Sequence, residues 1–195
     1  EAADAADAAG LRARIAADLA LTLHRERGSA GDGRSAAGER SAEAAARAGE
    51  ALELAERAGD ARARAQAHNM LGVLARSAGD LEAARAELEQ SLAVAEELGD
   101  APTRAAALNN LALVERDAGE LDRALELTET ALALCVAYGD RHREAALENN
   151  LADLHQAAGR HDAAMGHLKR AVAIFSDVGA DEATRLPEIW KLVSW

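Results

Sequence analysis

Apolar positions recur along this chain at helical spacing, and the whole pattern then repeats. Ala67, Leu71, Leu74 and Ala78 step by four, three and four residues, which draws one stripe along an α-helix. Gly79 follows at the place where a left-handed residue ends a helix. A second stripe runs through Leu81, Ala84, Leu88, Leu92 and Ala95, and Gly99 closes it. Three blocks of 40 residues align without gaps: 61–100, 101–140 and 141–180. Leu111, Val114, Ala118 and Gly119 reproduce the first stripe, and so do Leu151, Leu154, Ala158 and Gly159. Leu121, Ala124, Thr128, Leu132 and Cys135 reproduce the second, with Gly139 and then Gly179 as the closing glycines. Asp100 and Asp140 come directly after such a glycine and are placed to cap the next helix.

Two columns stay small in every block. Gly72, Ala112 and Ala152 sit on the first helix, and Ala84, Ala124 and Ala164 on the second. Small residues at facing positions let two antiparallel helices cross closely. Each block is therefore predicted to be a helical hairpin that cannot bury its apolar face alone. Stacking on its neighbours solves that problem, so the expected fold class is all-α: a right-handed α-solenoid of antiparallel hairpins.

The composition agrees. Of 195 residues 49% are hydrophobic, mostly Ala and then Leu, and 2% are aromatic, which suits closely packed helices. The formal net charge of -12 argues against direct nucleic-acid binding, because phosphate contacts need clustered Lys and Arg. The single Cys135 has no partner for an internal disulfide and falls in an apolar register, where it acts as a small hydrophobe. This fits a reducing compartment, and a cytoplasmic location is expected. No apolar run approaches the roughly 18–20 residues that span a bilayer, and no signal-peptide pattern is present. The chain starts at Glu1 rather than Met, so either a fragment of something longer or a trimmed chain is expected.

The edges depart from the pattern. Residues 41–60 fit the second-helix register, with Ala44 in the small column and Gly59-Asp60 at the end. Upstream, Leu19-Ala20 stands where a first helix would carry its Leu and small residue. Residues 1–60 are thus expected to form a divergent hairpin with a loop insertion near 28–39, its second helix starting after Gly38. Residues 181–195 are expected to form a short capping helix. Asp181 or Thr184 can cap it, Pro187 is tolerated in its first turn, and Leu186, Ile189, Trp190, Val193 and Trp195 are apolar. That segment either lids the last hairpin or, through Ile189, Trp190, Val193 and Trp195, docks a partner.

The order Leu111, Ala112, Gly119, Ala124 and Ala131 resembles the tetratricopeptide repeat. The 40-residue period, with its "NNLA…G…A…A…GD" wording, is similar to the long-helix subclass. That subclass occurs in LGN/Pins-type adaptors, in kinesin light chains and in C-terminal arrays of bacterial signal-transducing ATPases and transcriptional regulators. Here aliphatics replace the family's usual aromatics, and Gly-Asp replaces the Pro that usually ends its repeat.

No catalytic constellation is present: there is no phosphate loop, HExxH, CxxC or nucleophile elbow. His155, His161 and His167 are spaced six apart, which does not place two on one helix face as a helical metal site wants. No cofactor, metal or enzymatic activity is expected. The asparagines are the distinctive polar feature. Asn69, Asn109 and Asn149 share a column, as do Asn110 and Asn150 beside it. Asn is a mediocre helix-interior residue that offers two donors and an acceptor. A further helical stripe holds Gln66, Asn69, Val73 and Arg76 in the first block. It holds Ala106, Asn109, Leu113 and Arg116 in the second, and Ala146, Asn149, Asp153 and Gln156 in the third.

In the superhelix that the resemblance implies, first helices line the concave surface. The resemblance to its peptide-binding members then implies a groove in which the amides hold the main chain of an extended peptide or a helix edge. Arg76 and Arg116 would meet acidic groups on that ligand. The competing reading is that the same amides bond the neighbouring repeat and fix the stacking. The functional expectation is a non-enzymatic protein-interaction module or scaffold whose partner is a protein or peptide, with another domain of the parent chain among the candidates. Two alternatives accompany it. One is the regulatory or sensor array of a larger bacterial ATPase or transcriptional regulator, acting in signal transduction. The other is a self-assembling solenoid.

Overall fold

The computed structural model describes residues 34–181, with side chains from 42 to 178. Seven α-helices make up this region: α1 (Arg34–Ala58), α2 (Ala61–Ala78), α3 (Leu81–Glu97), α4 (Ala101–Asp117), α5 (Leu121–Tyr138), α6 (Arg141–Ala157) and α7 (His161–Asp181). No β-strand occurs among the described residues, and the fold class is the all-α helical-hairpin repeat of a solenoid.

The helix boundaries follow from local chemistry. Asp60, Asp80 and Asp140 are N-caps whose carboxylates accept from the backbone N–H three residues on: Ala63 at 2.9 Å, Ala83 at 3.0 Å and Arg143 at 3.0 Å. Each satisfies one donor of the first turn that has no intrahelical acceptor, and adds negative charge where the helix dipole is positive. At the other end of α2, Gly79 takes φ 86°. This turns the chain so that the Gly79 and Asp80 N–H groups reach the carbonyls of Arg76 and Ala75, both at 3.0 Å. The other closing glycines up to Gly159 use the same left-handed turn.

Two boundaries differ from the sequence expectation. Helix α1 starts at Arg34 and runs through Gly38, so residues 34–39 of the expected insertion are helical. Residues 28–33 and the rest of the expected first helix lie outside the described residues. At the far end Gly179 does not stop α7, which continues to Asp181. Position 180 is Ala where the earlier blocks carry Asp100 and Asp140, so no side chain is present to cap a new helix there. The expected capping helix over 181–195 lies outside the described residues from 182 onward.

The chain divides between Thr103 and Arg104 into two compact units. In the first, α2 packs on both of its neighbours. Met70 and Leu74 meet Ala44 and Ala48 of α1, with Leu71 against them, and Ala67 meets Ala51. The opposite side of α2 crosses α3 through the small column. A Cβ placed on Gly72 would lie 2.5 Å from Leu88 Cγ and 3.1 Å from the Ala84 carbonyl oxygen. The hairpin is further tied by Ser91 Oγ, fully buried, which donates to the Ala65 carbonyl at 2.8 Å. In the second unit, Leu125 and Ala124 of α5 form a core with Leu151 and Leu154 of α6, and Leu121 and Leu132 pack against it. Ala78 and Ala118, read as the last members of the first stripe, are exposed, because the helix ends at or just before them.

Candidate binding face in the asparagine columns

On α2, Gln66 is exposed while Asn69, Val73 and Arg76 are half-buried, so in the first unit the predicted polar stripe reaches the surface at a shallow angle. In the second unit the asparagine columns converge. Asn150 Nδ2 of α6 donates to Asn109 Oδ1 of α4 at 2.8 Å. The bond joins one column to the other, since 109 and 150 are 41 residues apart. Asn110 is buried beside them, and Asn149 is half-buried on the adjoining face of α6.

Ala105, Ala106, Asn109 and Asn110 of α4, Cys135 of α5, and Arg143, Ala146, Leu147 and Asn150 of α6 surround an open pocket of about 30 Å³. That is room for one or two waters, or for the tip of an inserted side chain, and far below what a cofactor occupies. Its apolar walls are three alanines with Leu147 and Cys135, and its polar equipment is three amides, two of which (Asn109 and Asn150) hold each other, and one guanidinium. The Asn109–Asn150 bond uses one acceptor site and one donor. The other end of each amide makes no further hydrogen bond within the described residues.

Arg143, Tyr138 and Cys135 form a second polar group at this pocket. Arg143 Nη1 lies 3.4 Å from the Tyr138 hydroxyl and 3.2 Å from Asp140 Oδ2, so the N-cap aspartate also anchors the arginine. Cys135 Sγ is 3.3 Å from the same hydroxyl. Burial pushes the Cys135 thiol above its ordinary range, which leaves a poor nucleophile. Burial and the thiol contact push the Tyr138 hydroxyl up to about 12. The trio offers hydrogen bonds and, at Arg143, one positive charge.

The remaining sequence-predicted residues are set apart from the pocket. Leu113 is half-buried, and Arg116 spends its guanidinium on neighbouring Asp117 at 3.1 Å. Asp153 and Gln156 are exposed, and Gln156 bonds His161 at 3.0 Å. The pattern did not single out Arg143, because its column holds Ala63, Thr103 and Arg143 and does not repeat.

Two of the three histidines meet across the last hairpin. His155 of α6 and His167 of α7 stack with ring centroids 5.0 Å apart. His167 Nδ1 meets buried Glu148 at 2.8 Å, and Arg170 Nε joins the same carboxylate at 3.0 Å. His68 and Glu87 make the corresponding contact in the first unit, at 2.7 Å. Positions 68 and 148 share a column, as do 87 and 167, so the acid and the imidazole have exchanged helices. In the block between them both columns are leucine, Leu108 and Leu127, and both are buried. This is a site inside each hairpin that accepts either a complementary polar pair or two leucines. Among the described residues no group of three His, Cys, Asp or Glu side chains is arranged to hold a metal ion.

Family models for the tetratricopeptide repeat match residues 65–98 and 103–177, together more than half of the chain. The chain belongs to the tetratricopeptide repeat family. Members of this family generally mediate protein–protein interaction. No curated protein matches the sequence. Solved structures with the same fold include BtubC (BKLC) from P. vanneervenii, 23% identical with a TM-score of 0.64, covering 76% of this chain and 61% of that one. A Rap protein complexed with Competence and Sporulation Factor is 17% identical with a TM-score of 0.77, covering 88% and 45%. The kinesin light chain TPR-like repeats from Podosopora anserina are 21% identical with a TM-score of 0.67, covering 86% and 77%. The chain thus spans less than two thirds of the BtubC and Rap chains. No helix among the described residues is long and apolar enough to cross a membrane.

Proposed function

We propose that this chain is a non-enzymatic interaction module that binds a peptide, or a segment of a protein partner, along its asparagine-bearing face. The observation that carries this reading is the alanine-walled pocket where Asn109, Asn110 and Asn150 meet Arg143. Amides present a donor and an acceptor in one plane, which suits the peptide main chain. The Asn109–Asn150 bond holds two of them in fixed orientation before any ligand arrives, which lowers the ordering cost of binding. Arg143, set by Asp140, supplies a fixed positive charge for a carboxylate on the ligand. Within the second unit the face would continue through Asn149, Asp153 and Gln156, and in the first unit Gln66, Asn69, Val73 and Arg76 would present a corresponding stripe of its own. The Rap protein, solved with a factor bound, is a precedent for this fold taking a partner of that kind.

The same asparagines also serve stacking, because one bond ties α4 to α6. The two roles are separable by experiment. Immobilised random 12-residue peptides, probed with the full chain, should yield binders. Asn149→Ala and Arg143→Gln should each weaken the selected peptides about tenfold, the roughly 1.4 kcal/mol expected of a hydrogen bond to a charged or fixed group, with helicity retained. Binding that ignores both substitutions would refute this face as the site.

A further inference from the structure

The stacked imidazoles of the last hairpin are peculiar to it. The columns of His155 and His167 hold Ala75 and Glu87 in the first block and Glu115 and Leu127 in the second. The rings lie 5.0 Å apart with an interplanar angle of 19°, yet their surroundings differ. His167 Nδ1 is 2.8 Å from Glu148 Oε2 and 2.6 Å from Arg170 Nη2. Arg170 Nε also reaches the Glu148 carboxylate, at 3.0 Å. His155 Nδ1 is closed off from solvent and has no hydrogen-bond partner among the described residues.

A neutral imidazole carries one N–H and one bare nitrogen, whereas the cation carries an N–H on both. Neutral His155 can keep Nδ1 as its bare nitrogen. Its cation must place a buried N–H where no acceptor exists, and must hold a charge away from water. At His167 the geometry is the opposite. A proton on Nδ1 points at the Glu148 carboxylate, and Arg170 can swing its Nη2 aside while Nε keeps the same carboxylate. A further proton on His155 then sets two cations face to face. The other charges that bear on His155 are Arg160, at the turn between α6 and α7, and Glu129 on α5. Arg160 opposes the proton and is itself paired with Asp122 of α5 at 2.7 Å. Glu129 favours the proton, but burial outweighs it.

We propose that the stacked pair is a proton-operated latch: the closed hairpin accommodates a proton on His167, and a second one on His155 releases α7 from α6. Once α7 has parted, His155 reaches water and carries its charge without penalty. The inference is independent of the asparagine face.

Hydrogen exchange on the full chain at pH 7.5 and pH 5.0, corrected for the intrinsic pH dependence of the rate, tests the latch. A group with the ordinary value of 6.5 that takes its proton only in the open state favours opening by roughly 30-fold at pH 5.0 and hardly at all at pH 7.5. Protection within α7 should fall by roughly that factor on acidification, while α4 keeps its own. His155→Phe retains a stacked ring without a proton site and should abolish the fall. Each protein is read as its own ratio between the two pH values, so a constant change in packing does not disturb the comparison. In the wild type, the His155 Hε1 resonance should titrate over the pH range in which α7 opens. Equal loss in wild type and His155→Phe would overturn the proposal. So would a loss shared equally by α4, or a His155 resonance that titrates while α7 stays protected.

Discussion

Gly72 and Gly49 make a matched pair for testing the close helix crossing. Both are interior to helices, where Gly→Ala normally stabilises by about 0.5–1 kcal/mol through lost backbone freedom in the unfolded chain and better helix propensity. At Gly49 nothing lies within 4 Å of the added methyl, so Gly49→Ala should gain that amount. At Gly72 the methyl meets Leu88 Cγ at 2.5 Å, Cδ2 at 2.9 Å and the Ala84 carbonyl at 3.1 Å. Cγ is the branch point of a fully buried side chain, so relief requires a new Leu88 rotamer or a parting of the helices. Overpacking of this kind costs about 1–3 kcal/mol, which exceeds the propensity gain, so Gly72→Ala should destabilise by ~1 kcal/mol net. The next block carries Ala112 with Thr128 in these two columns, a larger residue against a smaller one. Leu88→Thr should destabilise on its own, but by about 0.5–1 kcal/mol less when Gly72→Ala is present, a favourable coupling in a double-mutant cycle. Urea denaturation followed by circular dichroism reads the wild type, both glycine variants, Leu88→Thr and the double variant, and an unchanged m-value guards against a shift in cooperativity. Equal stabilisation at positions 49 and 72 would refute the assigned crossing.

Three further outcomes are expected. The His155 imidazole is held below its ordinary value of 6.5, first by burial and then by the charges of His167 and Arg160, with Glu129 opposing. The folded state therefore favours neutral His155, and the unfolded state takes up more protons as pH falls below 6.5, so this contribution to stability is present above that pH and is lost as the pH drops toward the folded value. Melting temperature against pH should fall less steeply between pH 7 and 5 in His155→Leu than in wild type, with Glu148, His167 and Arg170 left in place. Glu148→Gln leaves His167 and Arg170 without a carboxylate at a buried position and should cost about 1–3 kcal/mol in urea denaturation, whereas Glu53→Gln at an exposed pair should cost at most a few tenths. Cys135, buried with a raised thiol, should resist alkylation in the native state at pH 8 and react only on unfolding; rapid native labelling would contradict the burial assigned to it.

Much of the architecture was legible because each hairpin solves one packing problem with the same residues. Leu74, Val114 and Leu154 recur in one column and all are buried. The caps were legible for the same reason, since Asp100 and Asp140 each follow a glycine and each carboxylate accepts from the N–H three residues on, at 3.4 and 3.0 Å. The site was less legible, because its decisive members do not recur. Arg143 lies in a column of Ala63 and Thr103, and the His68–Glu87 contact returns as Glu148–His167 with the partners exchanged. Recurrence reveals what every block needs, while contacts peculiar to one block appear only once the helices are in place. The start of α1 was obscured by Gly38, which sequence propensity reads as a break and the helix absorbs.

The asparagine face can be tested most directly by hydrogen exchange on the full chain with and without a peptide selected against it. Slowed exchange concentrated in 105–110 and 143–150, abolished by Arg143→Gln, is the predicted result. Slowing confined to α3, α5 or α7, with those two stretches unchanged, would contradict the account.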